Sequence, residues 1–95
     1  MIKSPVKLKL NSVPVRNSNI RSHLLDSGNF SLVREKDRAV LIMLSQNGAT
    51  LWSLINGNRD IRKILLNMNE RITESELKLI IQFFIDKKLI KIKTS

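Results

Sequence analysis

An unbroken apolar block, Ala39-Val40-Leu41-Ile42-Met43-Leu44, runs without a linker into Ser45-Gln46-Asn47-Gly48-Ala49-Thr50-Leu51-Trp52-Ser53-Leu54-Ile55-Asn56-Gly57. The block has the length of a strand, and the segment after it has helical spacing, with Leu51, Leu54 and Ile55 at i, i+3 and i+4. Ser45 is suited to cap that helix, which the pattern extends to about Asn56, and Gly57 supplies a left-handed stop. A strand feeding directly into a series of small helices is an organisation used by peptide- and nucleic-acid-binding modules.

Similar signals mark the remaining elements. Ile20 to Leu25 and Phe30 to Arg34 flank the turn Asp26-Ser27-Gly28-Asn29, which reads as a hairpin. Glu35-Lys36-Asp37 makes a second polar turn into Arg38–Leu44, so the expectation is a three-stranded antiparallel meander. Asp60 heads a short helix whose apolar face is Ile61, Ile64, Leu65 and Met68. Thr73-Glu74-Ser75-Glu76 is a capping box, with Ile72 and Leu77 placed as a hydrophobic staple. The third helix should bury Leu77, Ile80, Ile81 and Phe84 and run to about Lys87. Val6 to Leu10 and Leu89 to Lys93 alternate with period two; the first reads as an extra strand or mobile arm, broken by Pro14, and the second as a last strand or extended tail. The fold class is α+β, a meander followed by three helices, winged-helix-like, with residues 1–12 as an arm and 13–95 as the domain.

A chain of 95 residues supports one hydrophobic core. It has no cysteine, which excludes disulfides, thiolate metal sites and a cysteine nucleophile. Seventeen Lys and Arg against eight Asp and Glu give a formal charge of +9, a field that favours an acidic partner without choosing its class. No stretch has the ~18–20 apolar residues of a membrane span, and Met1-Ile2-Lys3-Ser4-Pro5 lacks the apolar region of a secretory signal. The expectation is a cytoplasmic protein without a membrane partner.

Catalytic signals are weak. His23 is the single histidine and has no carboxylate beside it in the sequence, and Glu74 and Glu76 are accounted for as first-turn partners of a helix. No phosphate loop or metal-ligand cluster is visible, so the chain reads as a non-enzyme without a cofactor. Trp52, beside Leu51 and Ile55, reads as core.

Binding is better marked. In regular alternation Val40, Ile42 and Leu44 point to one face of the strand and Leu41 and Met43 to the other, so both faces ask for cover while an antiparallel sheet normally solvates one. The cover could be Val6–Leu10, a homodimer, or a peptide added to the strand's free edge. A nucleic-acid-binding winged helix is the alternative, but Leu79, Phe83 and Ile85 occupy much of the helix face that would have to read bases.

The stretch Leu44 to Ile61, with its Leu-Trp pair, Asn-Gly stop and Arg59-Asp60-Ile61, resembles the PqqD family, as does Ile85-Asp86-Lys87-Lys88-Leu89-Ile90 near the far end. The resemblance spans roughly residues 13–92. Ser45 and Asn47 stand where the family has Asn and Thr, and Lys88 where it often has Gly. Proteins of this kind are RiPP recognition elements: standalone modules that capture the leader peptide of a ribosomally made precursor and present it to a radical SAM enzyme, a cyclase (as in lasso-peptide systems) or a leader protease. The resemblance implies a leader added as a strand in the groove between the third strand and the third helix. It assigns Arg38, Val40, Leu41, Ile42, Met43 and Leu44 to the strand side and Lys78, Ile81, Gln82, Ile85 and Lys88 to the helix side. Leu41 and Met43 would wall pockets, and Arg38, Lys78 and Lys88 would attract acidic leader residues.

Overall fold

Residues 7–69 and 71–93 are described by a computed structural model. The meander forms where the turn chemistry places it: β2 (Ile20–Leu24), β3 (Phe30–Arg34) and β4 (Val40–Leu44) pair antiparallel in the order β2-β3-β4, leaving β2 and β4 as edges. Three helices come next, α1 (Gln46–Leu54), α2 (Ile61–Asn67) and α3 (Glu74–Asp86), giving the α+β arrangement expected of the sequence. A second, two-stranded sheet joins β1 (Pro14–Arg16) to β5 (Ile90–Ile92). Among the described residues no helix is long and apolar enough to cross a membrane.

Pro14 does not break the chain as expected; it opens β1. Lys93 N–H donates to the Val13 carbonyl at 2.8 Å, and Asn17 N–H to the Leu89 carbonyl at 3.0 Å. Hydrogen-bonded pairs therefore fall at residues 13, 15 and 17, and Pro14, opposite Ile92, sits between them where an N–H would not join the ladder.

The expected alternation along β4 fails at one point. Leu32 pairs with Ile42, but Val33 pairs with Val40, so a bulge places one extra residue in β4. An extra residue reverses the faces beyond it. Val40 therefore joins Met43 on the outer face of the sheet, both well exposed, while Leu41 is half-buried against the core. Arg38, expected within the strand, lies in the preceding turn with φ +58°.

The helix signals are realised at their caps. Ser45 and Asp60 accept from the N–H groups of Gly48 and Lys63, and Thr73 and Glu76 form the reciprocal capping box, with N···O distances of 3.0 and 3.1 Å. The first helix ends at Leu54, two residues before the expected Asn56, with Gly57 in the left-handed region at φ +83°. Lys88, in the position of a glycine, takes φ +62° and completes a Schellman stop: its N–H donates to Ile85 and that of Leu89 to Phe84.

Val6 lies outside the described residues, and residues 7–10 form no strand. Instead the Ile61 N–H donates to Ser12 and the Arg62 N–H to Leu10, both at 3.0 Å, so this segment satisfies the two α2 donors that Asp60 leaves unpaired. Leu8 and Leu10 pack against the core from that side, leaving the outer face of the sheet uncovered by them. The core gathers Leu32 and Leu44 from the sheet, Leu51, Trp52 and Ile55 around α1, Ile61, Ile64 and Met68 from α2, Leu77, Ile81 and Phe84 from α3, and Leu89 and Ile90. Trp52 meets Phe84 edge-on at 5.9 Å between ring centroids, the packing role expected of it.

Candidate functional site

The free edge of β4 offers backbone groups whose directions are set by the ladder. Leu25 N–H donates to Asn29 at 2.7 Å and Glu35 N–H to Asn19 at 2.8 Å, which fixes Ser31 and Val33 as the β3 residues bonded toward β2. Phe30, Leu32 and Arg34 then bond toward β4, and Arg34 N–H indeed donates to the Ala39 carbonyl at 2.9 Å. Their partners include Ile42 and Leu44, so Met43 between them turns its N–H and C=O to the open edge.

Beside that edge lies a cleft of about 350 Å³. Met43 and Leu44 form one wall and Ile80, Phe83 and Phe84 of α3 the other, with Leu51 and Met68 also lining it. Gly48 lets the start of α1 approach the strand: a Cβ there would stand 3.2 Å from Leu44 Cδ2. Phe83, 45% exposed, faces solvent at the cleft, and Met43, 58% exposed, bounds it at the strand edge. Arg71 lines the cleft with the polar Ser45 and Asn47, and Lys87 Nζ sits 5.6 Å from the Phe83 ring centroid, putting positive charge at a mostly apolar site.

The residues that the resemblance assigns are divided by this geometry. Met43 and Leu44 line the cleft; Val40 is on the outer face; Leu41 and Ile42 are half-buried against the core. On α3, Ile81 is completely buried. Lys78 and Gln82 lie on the other side of the buried stripe, in a separate depression with Leu8. There Lys78 is paired with Glu74 at 3.0 Å, and Gln82 donates to Asp86 at 3.0 Å. Ile85 is half-buried against the core, and Lys88 is the left-handed residue of the helix stop. The helix residues that face β4 across the cleft are Ile80, which the sequence pattern puts in the buried stripe, and Phe83, which it marks only as an obstacle to base reading. The signal that could have identified them is Phe83 itself, an aromatic just outside a stripe already complete without it.

The turn entering β4 is held electrostatically. Arg34 donates to Asp37 through Nε at 3.1 Å and Nη2 at 2.8 Å, and Ala39 N–H donates to Asp37 Oδ1 at 3.1 Å. The hydrogen bond from Arg34, then that from Ala39, pulls the Asp37 carboxyl down to about 2, and the same carboxylate raises the Arg34 guanidinium above its ordinary value. Arg38 is therefore presented next to the edge by a pinned turn. His23 stands exposed on β2, across from Ser31 on the next strand.

No protein-family model, curated protein or solved structure matches this chain.

Proposed function

We propose that the protein is a PqqD-like recognition element that captures the leader peptide of a ribosomally made precursor by strand addition to β4. It then presents the peptide to a modifying enzyme or leader protease in the cytoplasm. The observation that carries this reading is the open β4 edge at Met43 beside an apolar cleft walled by Ile80 and Phe83. Main-chain pairing with the edge supplies affinity and the cleft takes an apolar leader side chain, the division of labour that strand addition uses. Arg71 and Lys87 at the cleft and Arg38 at the strand entry favour a leader with acidic residues flanking its apolar anchor. Leu79, 71% exposed on α3 with Phe83, gives this helix an outer face unsuited to reading base edges.

The test is calorimetric titration with the synthetic leader of the precursor encoded beside this gene. Binding should be micromolar or tighter. Met43→Pro removes a donor that points away from β3, so the sheet survives while the added strand loses its anchor. A folded Met43→Pro variant that binds the leader as the parent does would falsify strand addition at this edge.

A further inference from the structure

The meander has a second free edge, and its surroundings differ in chemistry from the first. On β2 the residues bonded to β3 are Arg21 and His23, so Ile20, Ser22 and Leu24 turn their backbone groups outward. Against this edge lies a cleft of about 480 Å³ lined by Arg16, Asn17, Arg21, Ser22, His23 and Trp52. Through Arg16, Ser22 and Trp52 it meets a cleft of about 390 Å³ that runs beneath the inner face of the sheet to Phe30 and to Gln46 and Thr50 of α1. The Arg16 guanidinium carbon lies 5.8 Å from the Trp52 ring centroid. Among the described residues no carboxylate forms an ion pair with it.

We infer that the β2 edge receives an extended acidic segment of a partner protein, at a site separate from the β4 groove. On a strand added to β2, the side chain across from Ser22 points to the inner face, the side on which Arg16 and Trp52 lie. A carboxylate there makes a charge-assisted bond to a guanidinium already positioned over the ring. The next side chain along the segment points to the outer face, where Arg21 is already paired with Glu35 at 2.7 Å, so the acidic requirement falls on the inner position facing Arg16. A second copy of this chain is the poorer occupant: self-pairing would bring the Arg16 residues of both copies, and two chains of charge +9, to one seam. The inference does not rest on the leader-binding reading, since it uses the opposite edge and different side chains.

The probe is the blocked peptide acetyl-Thr-Val-Glu-Glu-Val-Thr-amide, with the same peptide carrying Gln for both Glu as its control. Trp52 is the single tryptophan, so its fluorescence reports this cleft directly. The acidic peptide should give a saturable change in Trp52 emission and amide shifts at Ile20, Ser22 and Leu24. The Gln peptide and the Arg16→Glu variant should each bind about tenfold or more weakly, the loss of one charge-assisted contact. Ser22→Pro should abolish binding, and Met43→Pro should leave it unchanged. Should Ser22→Pro fail to fold, Arg16→Glu decides alone. The inference is overturned by any of four results: no saturable change up to millimolar peptide, equal binding by folded Arg16→Glu, shifts confined to Met43 and Phe83, or a concentration-dependent dimer formed through residues 20–24.

Discussion

Leu89 donates its backbone N–H to the Phe84 carbonyl at 2.9 Å, closing α3 across a lysine held at φ +62°, and both side chains are buried. The left-handed conformation costs a residue with a Cβ roughly 1–2 kcal/mol, which the tertiary contact of Leu89 offsets. Lys88→Gly removes that strain but gives the unfolded chain more freedom to lose. We expect a net gain of about 0.5–1 kcal/mol, visible as a higher denaturant midpoint with an unchanged slope.

The N-terminal segment is bound into the domain through α2. Deleting residues 1–12 removes the carbonyls that accept from Ile61 and Arg62, and with them the packing of Leu8 and Leu10. Each lost hydrogen bond costs about 0.5–1.5 kcal/mol net, and the apolar contacts add to that. Thermal unfolding of the shortened chain should show a clear drop in Tm, with early amide exchange at the start of α2.

Thr73→Ala removes half of the capping box that starts α3. Loss of such a cap costs about 0.5–2 kcal/mol, and Thr73→Ser should recover most of it, as equilibrium denaturation of the two variants would show. Because α3 provides the Phe83 wall, the Ala variant should also fray the first turn of that helix in hydrogen exchange before it affects the cleft.

Acid should loosen two specific points. The Asp37 carboxyl titrates at about 2 in the folded chain because Arg34 and Ala39 donate to its charged form, and Glu76 is lowered by the Thr73 N–H. Both lie below their unfolded values, so their stabilisation is complete above about pH 4–4.5 and is lost as pH falls through the folded values. Carboxyl chemical shifts followed across this range should place the Asp37 midpoint near 2, and Asp37→Asn should remove the dependence from the Arg38 turn while leaving that of Glu76.

Phe83→Ala separates binding from stability. The ring is 45% exposed and contributes a wall of the cleft, whereas Phe84 beside it is buried and packs against Trp52. Phe84→Ala should cost about 3–5 kcal/mol. Phe83→Ala should cost far less, yet weaken the proposed leader binding by about tenfold through the loss of its apolar contact. Equal effects of the two changes on stability would contradict this assignment.

The elements legible in the sequence are those whose signals are local. A capping box needs only Thr73 and Glu76, and a helix stop only a residue able to sit at positive φ, so the three helices and the meander can be read from short windows. Three features are not legible because each depends on partners distant in the chain. Pro14 looks like a breaker until Ile92 is opposite it, where its missing N–H has no ladder bond to make. The bulge in β4 depends on how Val33 meets Val40, and regular alternation without it puts Val40 on the wrong face. The cleft-facing side of α3 depends on the direction from which the sheet approaches, and between Glu74 and Asp86 the one mark that separates the Ile80–Phe83 flank from the Lys78–Gln82 flank is Phe83, an aromatic that the buried stripe does not require. For the candidate cleft, Met43 and Leu44 on the strand are therefore legible, and the helix wall only through Phe83.

The antiparallel pairing of β1 with β5 also sets an order of assembly. Hairpins and capped helices close short loops, whereas Pro14–Arg16 must wait for Ile90–Ile92, the most distant partners in the described chain, and long loops close slowly. During synthesis the meander and α1 leave the ribosome while β1 has no partner, so the strand that carries Arg16 is the last to be fixed. A nascent chain thus exposes its open β4 edge before Arg16 is fixed beside Trp52.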